Sequence, residues 1–164
     1  LGAHIIFLTE KQNPVRSIGG LSTQGERGID PSDNADLDAV ALIGSDIWQT
    51  NDAPDVSALL RSVASRGGVV GAICGATIAL AKSGLLEHLP HTSNGADWLK
   101  QATGGYAGEP SYVDQPAALT SGNIITASGL APDTFATEFL KALYPEQTGM
   151  LDGVTSMFAA EHSS

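Results

Sequence analysis

Basic residues are scarce in this chain. Eight Lys and Arg stand against 18 Asp and Glu, a formal net charge of −10 over 164 residues. A nucleic-acid groove needs a basic face for phosphate, so this balance argues against a nucleic-acid partner. Cysteine is scarcer still, since Cys74 is the only one. A single thiol allows no internal disulfide and no cysteine-based zinc cluster, and it suits a reducing, cytoplasmic setting. Long hydrophobic runs are also missing. None approaches the ~20 apolar residues of a membrane-spanning helix, so no membrane partner is expected. No repeat, low-complexity tract or second domain is visible. With 42% hydrophobic residues, what remains reads as one globular domain large enough to bury its own core.

The rest of the chain is organised around residues 67–85, GGVVGAICGATIALAKSGL. Val69-Val70-Gly71-Ala72-Ile73 is an uninterrupted run of small and β-branched residues behind a Gly-Gly pair. That pattern suits a strand covered on both faces in a parallel sheet. Cys74 and Gly75 follow, and Ala76, Ile78, Ala79, Leu80 and Ala81 read as a buried helix. Strand, one reactive residue, Gly, helix is the layout of a nucleophile elbow. Its turn holds the side chain at the carboxyl edge of the sheet, over a helix N-terminus that favours a thiolate. The alternative is that Cys74 is a small buried hydrophobe; the elbow layout favours the reactive reading.

Upstream, residues 4–8 (HIIFL) read as a short strand, with Val15-Arg16-Ser17-Ile18 as its hairpin partner closed by Gly19-Gly20. Residues 22–36, polar and rich in Gly, Asp and Pro, read as a surface loop. Residues 38–43 form a buried strand that Gly44-Ser45 ends. Pro54 and Asp55 open a helix whose apolar stripe is Val56, Leu59, Leu60 and Val63. Gly67-Gly68 stop it, so strand, helix and strand imply a right-handed crossover. Downstream, His91-Thr92-Ser93 is a brief extended piece and residues 96–102 a short helix. Tyr112-Val113-Asp114, Ala117-Ala118-Leu119 and residues 124–127 are further strands, the last two flanking a turn at Ser121-Gly122-Asn123. Phe135, Ala136, Phe139, Leu140 and Leu143 line a final long helix that Tyr144-Pro145 stops. Residues 1–145 therefore read as an α/β domain, a flavodoxin-like three-layer α/β/α sandwich with a mostly parallel sheet. The tail, residues 146–164, repeats apolar residues at Leu151, Val154 and Phe158 and is either a docked short helix or a frayed one.

The AICGA segment, its helix and the following Gly84-Leu85-Leu86, together with Thr92-Ser93-Asn94 and residues 123–129 (NIITASG), resemble the DJ-1/PfpI superfamily. Its members are similar to class I glutamine amidotransferases and place a Cys on an elbow between strand and helix. The match covers about residues 15–143. It implies a flavodoxin-like fold, Cys74 as the nucleophile and commonly a homodimer. Relatives begin with a central strand and helix, and the loop after that strand supplies a Glu beside the Cys. This chain enters at what resembles the second strand. A strand plus its crossover helix takes roughly 30 residues, so a longer natural product carrying them is expected.

A thiolate attacking a carbonyl or nitrile-like carbon needs oxyanion donors, a proton carrier and a group that orients the carrier. By resemblance, residues 43–45 stand where the family has a Gly-Gly pair, which makes the amides of Gly44 and Ser45 candidate donors. The Gly75 amide, directly after the nucleophile, is the other. On local sequence alone, Gly44-Ser45 equally well only turns the chain after a strand. Many relatives carry a His at the end of the extended piece after the elbow helix, and the resemblance places Asn94 there. Asn donates and accepts hydrogen bonds but is no general base near pH 7. His91 lies three positions away, and an odd offset along a strand turns it to the other face. It is therefore expected as a solvated loop residue rather than the catalyst, and His4, His88 and His162 have no better claim. No His/carboxylate spacing suggests a metal site, and the chemistry calls for no cofactor. Asn94, Ser93 and Trp48, with Trp98, are candidates to line the pocket, although either Trp also reads as core packing.

Two functions fit these residues. One is a Cys-dependent hydrolase or amidotransferase-like catalyst of small amide or nitrile-like substrates, with Asn94 positioning rather than transferring protons. The other is a non-catalytic, redox-responsive protein, a stress sensor or chaperone-like molecule. In it Cys74 is oxidised reversibly to sulfenic acid and then on to sulfinic acid, altering a partner surface. The lack of both His and Glu favours the second, and the amidase-like relatives implied by the resemblance favour the first.

Overall fold

The computed structural model describes residues 2–160. In chain order the elements are β1 (Pro14–Arg16), β2 (Ser22–Gln24), β3 (Ala39–Leu42), α1 (Ser57–Ser65), β4 (Val69–Ile73), α2 (Thr77–Lys82), α3 (Ala96–Thr103), β5 (Leu119–Ser121), β6 (Ile124–Ala127), α4 (Pro132–Leu143) and α5 (Thr148–Ala160). The main sheet has the order β3-β4-β6-β5. β4 runs parallel to both β3 and β6, with Val70 between Val40 and Ile124, and β5 returns antiparallel to β6. Gly122, at φ 62°, supplies the left-handed residue of the β5–β6 turn.

Alternation along β4 divides the core. Val70 and Ala72 face one side, where they join Leu59, Leu60 and Val63 of α1, Ile78 and Leu80 of α2, and Leu99 of α3. Val69 faces the other side, with Ile125, Ala127 and Phe135 of α4. Helices thus cover both faces of a mostly parallel sheet, the expected three-layer sandwich. The stripe read for α1 is its buried face, and each fully buried Leu there contributes about 1.5–3 kcal/mol relative to exposure. α4 starts at Pro132, whose missing N–H costs nothing in a first turn. Its Phe135 and Phe139 lie so close to Gly71 that an added Cβ would stand 2.6 Å from Phe139 Cδ2. α5 docks on α4 through buried Leu151, a 2.6 Å contact between the Thr137 and Thr155 hydroxyls, and Lys141 Nζ, 2.6 Å from Asp152. Among the described residues no helix is long and apolar enough to cross a membrane.

Several expectations need correction. Residues 4–8 form no strand; Leu8 makes one isolated bridge to Arg27, and Ile5 and Phe7 are exposed. Val15 pairs instead with Thr23 across Gly19-Gly20, where Gly20 at φ 87° turns the chain. The stretch 22–36 is not merely a surface loop. It holds β2 and a 3-10 turn at Pro31–Asn34, where buried Asn34 donates to the carbonyls of Gly28 and Asp30. Residues 112–114 make only a bridge from Tyr112 to His91. His162 lies outside the described residues.

His91 is fully buried, not solvated. Its Nδ1 donates to the Leu89 carbonyl at 2.8 Å, since a carbonyl can only accept, so Nε2 is the unprotonated nitrogen. Nε2 accepts from the Tyr106 hydroxyl at 2.7 Å, and the rings of Tyr106 and Tyr112 stand edge-on to the imidazole. Burial, then the charge of Glu109, push Tyr106 up to about 12, so its phenol keeps the proton it donates. Burial pushes His91 below the usual histidine value, against an opposing hydrogen bond to Leu89.

Two measurements test this packing. Gly71→Val should force α4 away from the sheet and cost about 1–3 kcal/mol, seen as a lower urea midpoint with far-UV dichroism retained. For His91 the unfolded chain binds the extra proton more readily than the native state. Its contribution to stability is therefore complete above about pH 6.5 and is lost as the pH falls from there towards the depressed native value. Urea midpoints measured from pH 8 to 5 should show this acid loss, and His91→Gln should flatten it.

Candidate active site

β4 delivers Cys74 in a conformation that side chains avoid. Its φ is 59°, in the left-handed region, at a cost of order 1–3 kcal/mol. A 3-10 turn at Cys74–Ala76 follows and runs directly into α2. The Thr77 hydroxyl donates to the Cys74 carbonyl at 2.7 Å, which ties the turn to the first residue of the helix. The thiol is half-buried, and its open side is bounded by three exposed residues, Gly44, Asn94 and Gly129.

Close backbone approach explains the glycines. A Cβ on Gly44 would stand 2.8 Å from Cys74 Cβ, one on Gly75 would stand 2.5 Å from the Ser45 carbonyl oxygen, and one on Gly129 would stand 2.8 Å from Cys74 Sγ. The loop at residues 43–45 thus lies directly against the elbow. Trp48 braces it: the indole is buried, and its Nε1 donates to the Ile43 carbonyl at 2.9 Å. Trp48 therefore packs behind the loop, and half-buried Trp98 packs against the core under α3. The Ser45 hydroxyl accepts from the Ile47 N–H at 3.4 Å, starting the 3-10 turn Asp46–Gln49. The Gly75 N–H belongs to a first turn, where amides have no carbonyl partner within the helix.

Asn94 meets the sulfur. Its Oδ1 accepts from the Gly129 N–H at 2.8 Å, and because a backbone N–H can only donate, this bond sets which way the amide faces. The Nδ2 then donates to Cys74 Sγ at 3.5 Å. Ser93 is buried next door, its hydroxyl 2.6 Å from that of Thr77.

The structure therefore gathers Cys74, Gly75, Gly44, Ser45 and Asn94 at one edge of the sheet, with Ser93 and Trp48 behind them. It leaves His91 out, both ring nitrogens being engaged elsewhere. His88 and His4 are exposed, His88 lying 3.8 Å from Glu87. Gly129 and Thr77 escaped sequence reasoning. The available signal for Gly129 was its place just after β6, since loops after neighbouring parallel strands meet at the carboxyl edge of the sheet. Among the described residues, no group of three or more His, Cys, Asp or Glu is placed to hold a metal. A groove of about 410 Å³ lined by Trp48, Asp55, Ile78 and Lys82, among others, does not include Cys74, so size alone does not mark this site.

Known proteins share this architecture. The model of the DJ-1/PfpI family matches residues 1–142. The uncharacterized protease YoaZ of Bacillus subtilis is 34% identical over 139 residues, which is 85% of this chain and 66% of that protein. A second uncharacterized protease of Bacillus subtilis, YdeA, is 32% identical over 131 residues, 79% of this chain and 64% of that protein. The chain thus spans just under two thirds of the length of both relatives. A DJ-1 superfamily protein from Agrobacterium tumefaciens superposes with a TM-score of 0.84 at 36% identity, covering 98% of this chain and 85% of that one. With a parallel sheet covered on both faces and a cysteine on a strand-to-helix elbow, the chain belongs to the DJ-1/PfpI family.

Proposed function

We propose that this protein is a Cys-dependent hydrolase or amidotransferase-like enzyme for small amide or nitrile-like substrates. The observation that carries the reading is the accessible, strained Cys74 with the Asn94 amide donating to its sulfur. The protease names of its Bacillus relatives support hydrolysis as the reaction class. In this reading the sulfur attacks the substrate carbon, and the carbonyl π-electrons move to oxygen. The amides of Gly75 and of Gly44 or Ser45 serve as its donors. The amine leaves with a proton taken from water, and a second water hydrolyses the thioester and restores the thiol.

Asn94 limits the rate in this scheme. It orients, but it moves no proton, and general acid–base help is typically worth 10²–10⁴-fold. The same observation favours a second reading, oxidation of Cys74 as a redox response without turnover, because a sensor sulfur needs no proton carrier.

Release of ammonia from a panel of small amides and nitriles tests the proposal. Slow turnover is expected, abolished in Cys74→Ala and raised by up to ~10²-fold in Asn94→His. Gly129→Ala should suppress it as well, since the new methyl would contact the sulfur. Absence of turnover, together with stoichiometric peroxide oxidation of Cys74 by mass spectrometry, would replace the enzyme with the redox reading.

A further inference from the structure

Buried hydroxyls connect the two ends of the Cys74–Asn94 contact by a second route. Thr77 has one hydroxyl proton, and it goes to the Cys74 carbonyl. In the 2.6 Å contact between Thr77 and Ser93, Ser93 is therefore the donor. The bonds run in one direction, from Ser93 to Thr77 to the backbone of the nucleophile. Ser93 is covalently joined to Asn94, whose amide returns to the sulfur. The ring is closed: carbonyl of Cys74, Thr77, Ser93, Asn94, sulfur of Cys74.

Tyr112 clamps that ring from outside. Its hydroxyl accepts from the Ser93 N–H at 3.2 Å and donates to the Ser93 carbonyl at 3.2 Å, so one oxygen holds both backbone polar groups of one residue. Its ring stands against fully buried His91. The Thr92 N–H donates to the Thr126 hydroxyl of β6 at 2.9 Å, fixing the same segment to the sheet. Thr77 and Ser93 are buried, and Asn94 is exposed. The Gly129 N–H sets which way the amide faces, while the backing of Ser93 fixes where its backbone stands; without it the rotamer freedom of an exposed side chain opposes a fixed distance to the sulfur.

We propose that Thr77, Ser93 and Tyr112 are positioning residues that set the Asn94 amide against the Cys74 sulfur. This rests on the reading of Cys74 as a nucleophile assisted by Asn94, but it is testable without any substrate. The probe is iodoacetamide, which reports the reactivity of this one thiol at neutral pH. Asn94→Ala should slow alkylation by roughly three- to tenfold, the weight of one hydrogen bond. Tyr112→Phe, which removes a single oxygen, and Ser93→Ala should each slow it similarly. In either background a further Asn94→Ala change should add almost nothing, because the amide is already displaced. Thr77→Ser, which keeps the hydroxyl, should react like the parent, whereas Thr77→Val should not. Thermal melts of each variant verify that the native state is populated.

The proposal is overturned if Asn94→Ala alone has no effect. It is equally overturned if Asn94→Ala costs the same factor in the Tyr112→Phe and Ser93→Ala backgrounds as in the parent, for then these residues only fill space. Failure of amide turnover with the coupling intact would remove the proposed reaction and leave the positioning role standing.

Discussion

A strained backbone at the end of a strand that cannot move is the constraint on which the site depends. Cys74 takes φ 59° because β4 arrives between two parallel neighbours, covered on both faces, while α2 departs at once. Neither side can relax to spare the residue its left-handed conformation. The cost, of order 1–3 kcal/mol, is comparable to what one buried Leu of α1 contributes. Small residues are the corollary. Gly44 and Gly129, from two separate loops, are kept without side chains by Cys74 itself, and Gly75, within the turn, by the Ser45 carbonyl opposite.

A second theme is that the space between α2, α3 and the sheet is held by neutral polar groups. Thr77, Thr92, Ser93 and Thr126 are all buried, and their bonds run to backbone or to one another. Hydroxyls give direction without a buried charge, whose desolvation would cost several kcal/mol. Buried His91 belongs to the same design, neutral and bonded at both nitrogens.

Much of this was legible before any coordinates. Residues 69–73 read as a doubly covered strand because every position is small or β-branched, and the α1 stripe read correctly because its period is helical. Asn94 is brought to Cys74 by the family resemblance alone, since its segment makes only the isolated His91–Tyr112 bridge and belongs to no strand of the main sheet. Elsewhere sequence signals misled for physical reasons. An apolar run such as residues 4–8 looks like a strand whether or not a neighbour pairs with it. His91 looked like a loop residue because its offset from Asn94 says which way it points, not what covers it; two tyrosines distant in sequence do. Thr77 is silent because a hydroxyl's partner is a tertiary fact with no local pattern, and Gly129 is signalled only by its place just after β6.

The amide beside the sulfur has a kinetic corollary. A bell-shaped dependence of rate on pH requires two titrating groups, one active as base and one as acid. Asn94 does not titrate, so the amide that meets the Cys74 sulfur contributes no limb to such a profile. The shape of a pH–rate plot, rather than its height, would therefore separate an orienting amide from a proton carrier at this sulfur.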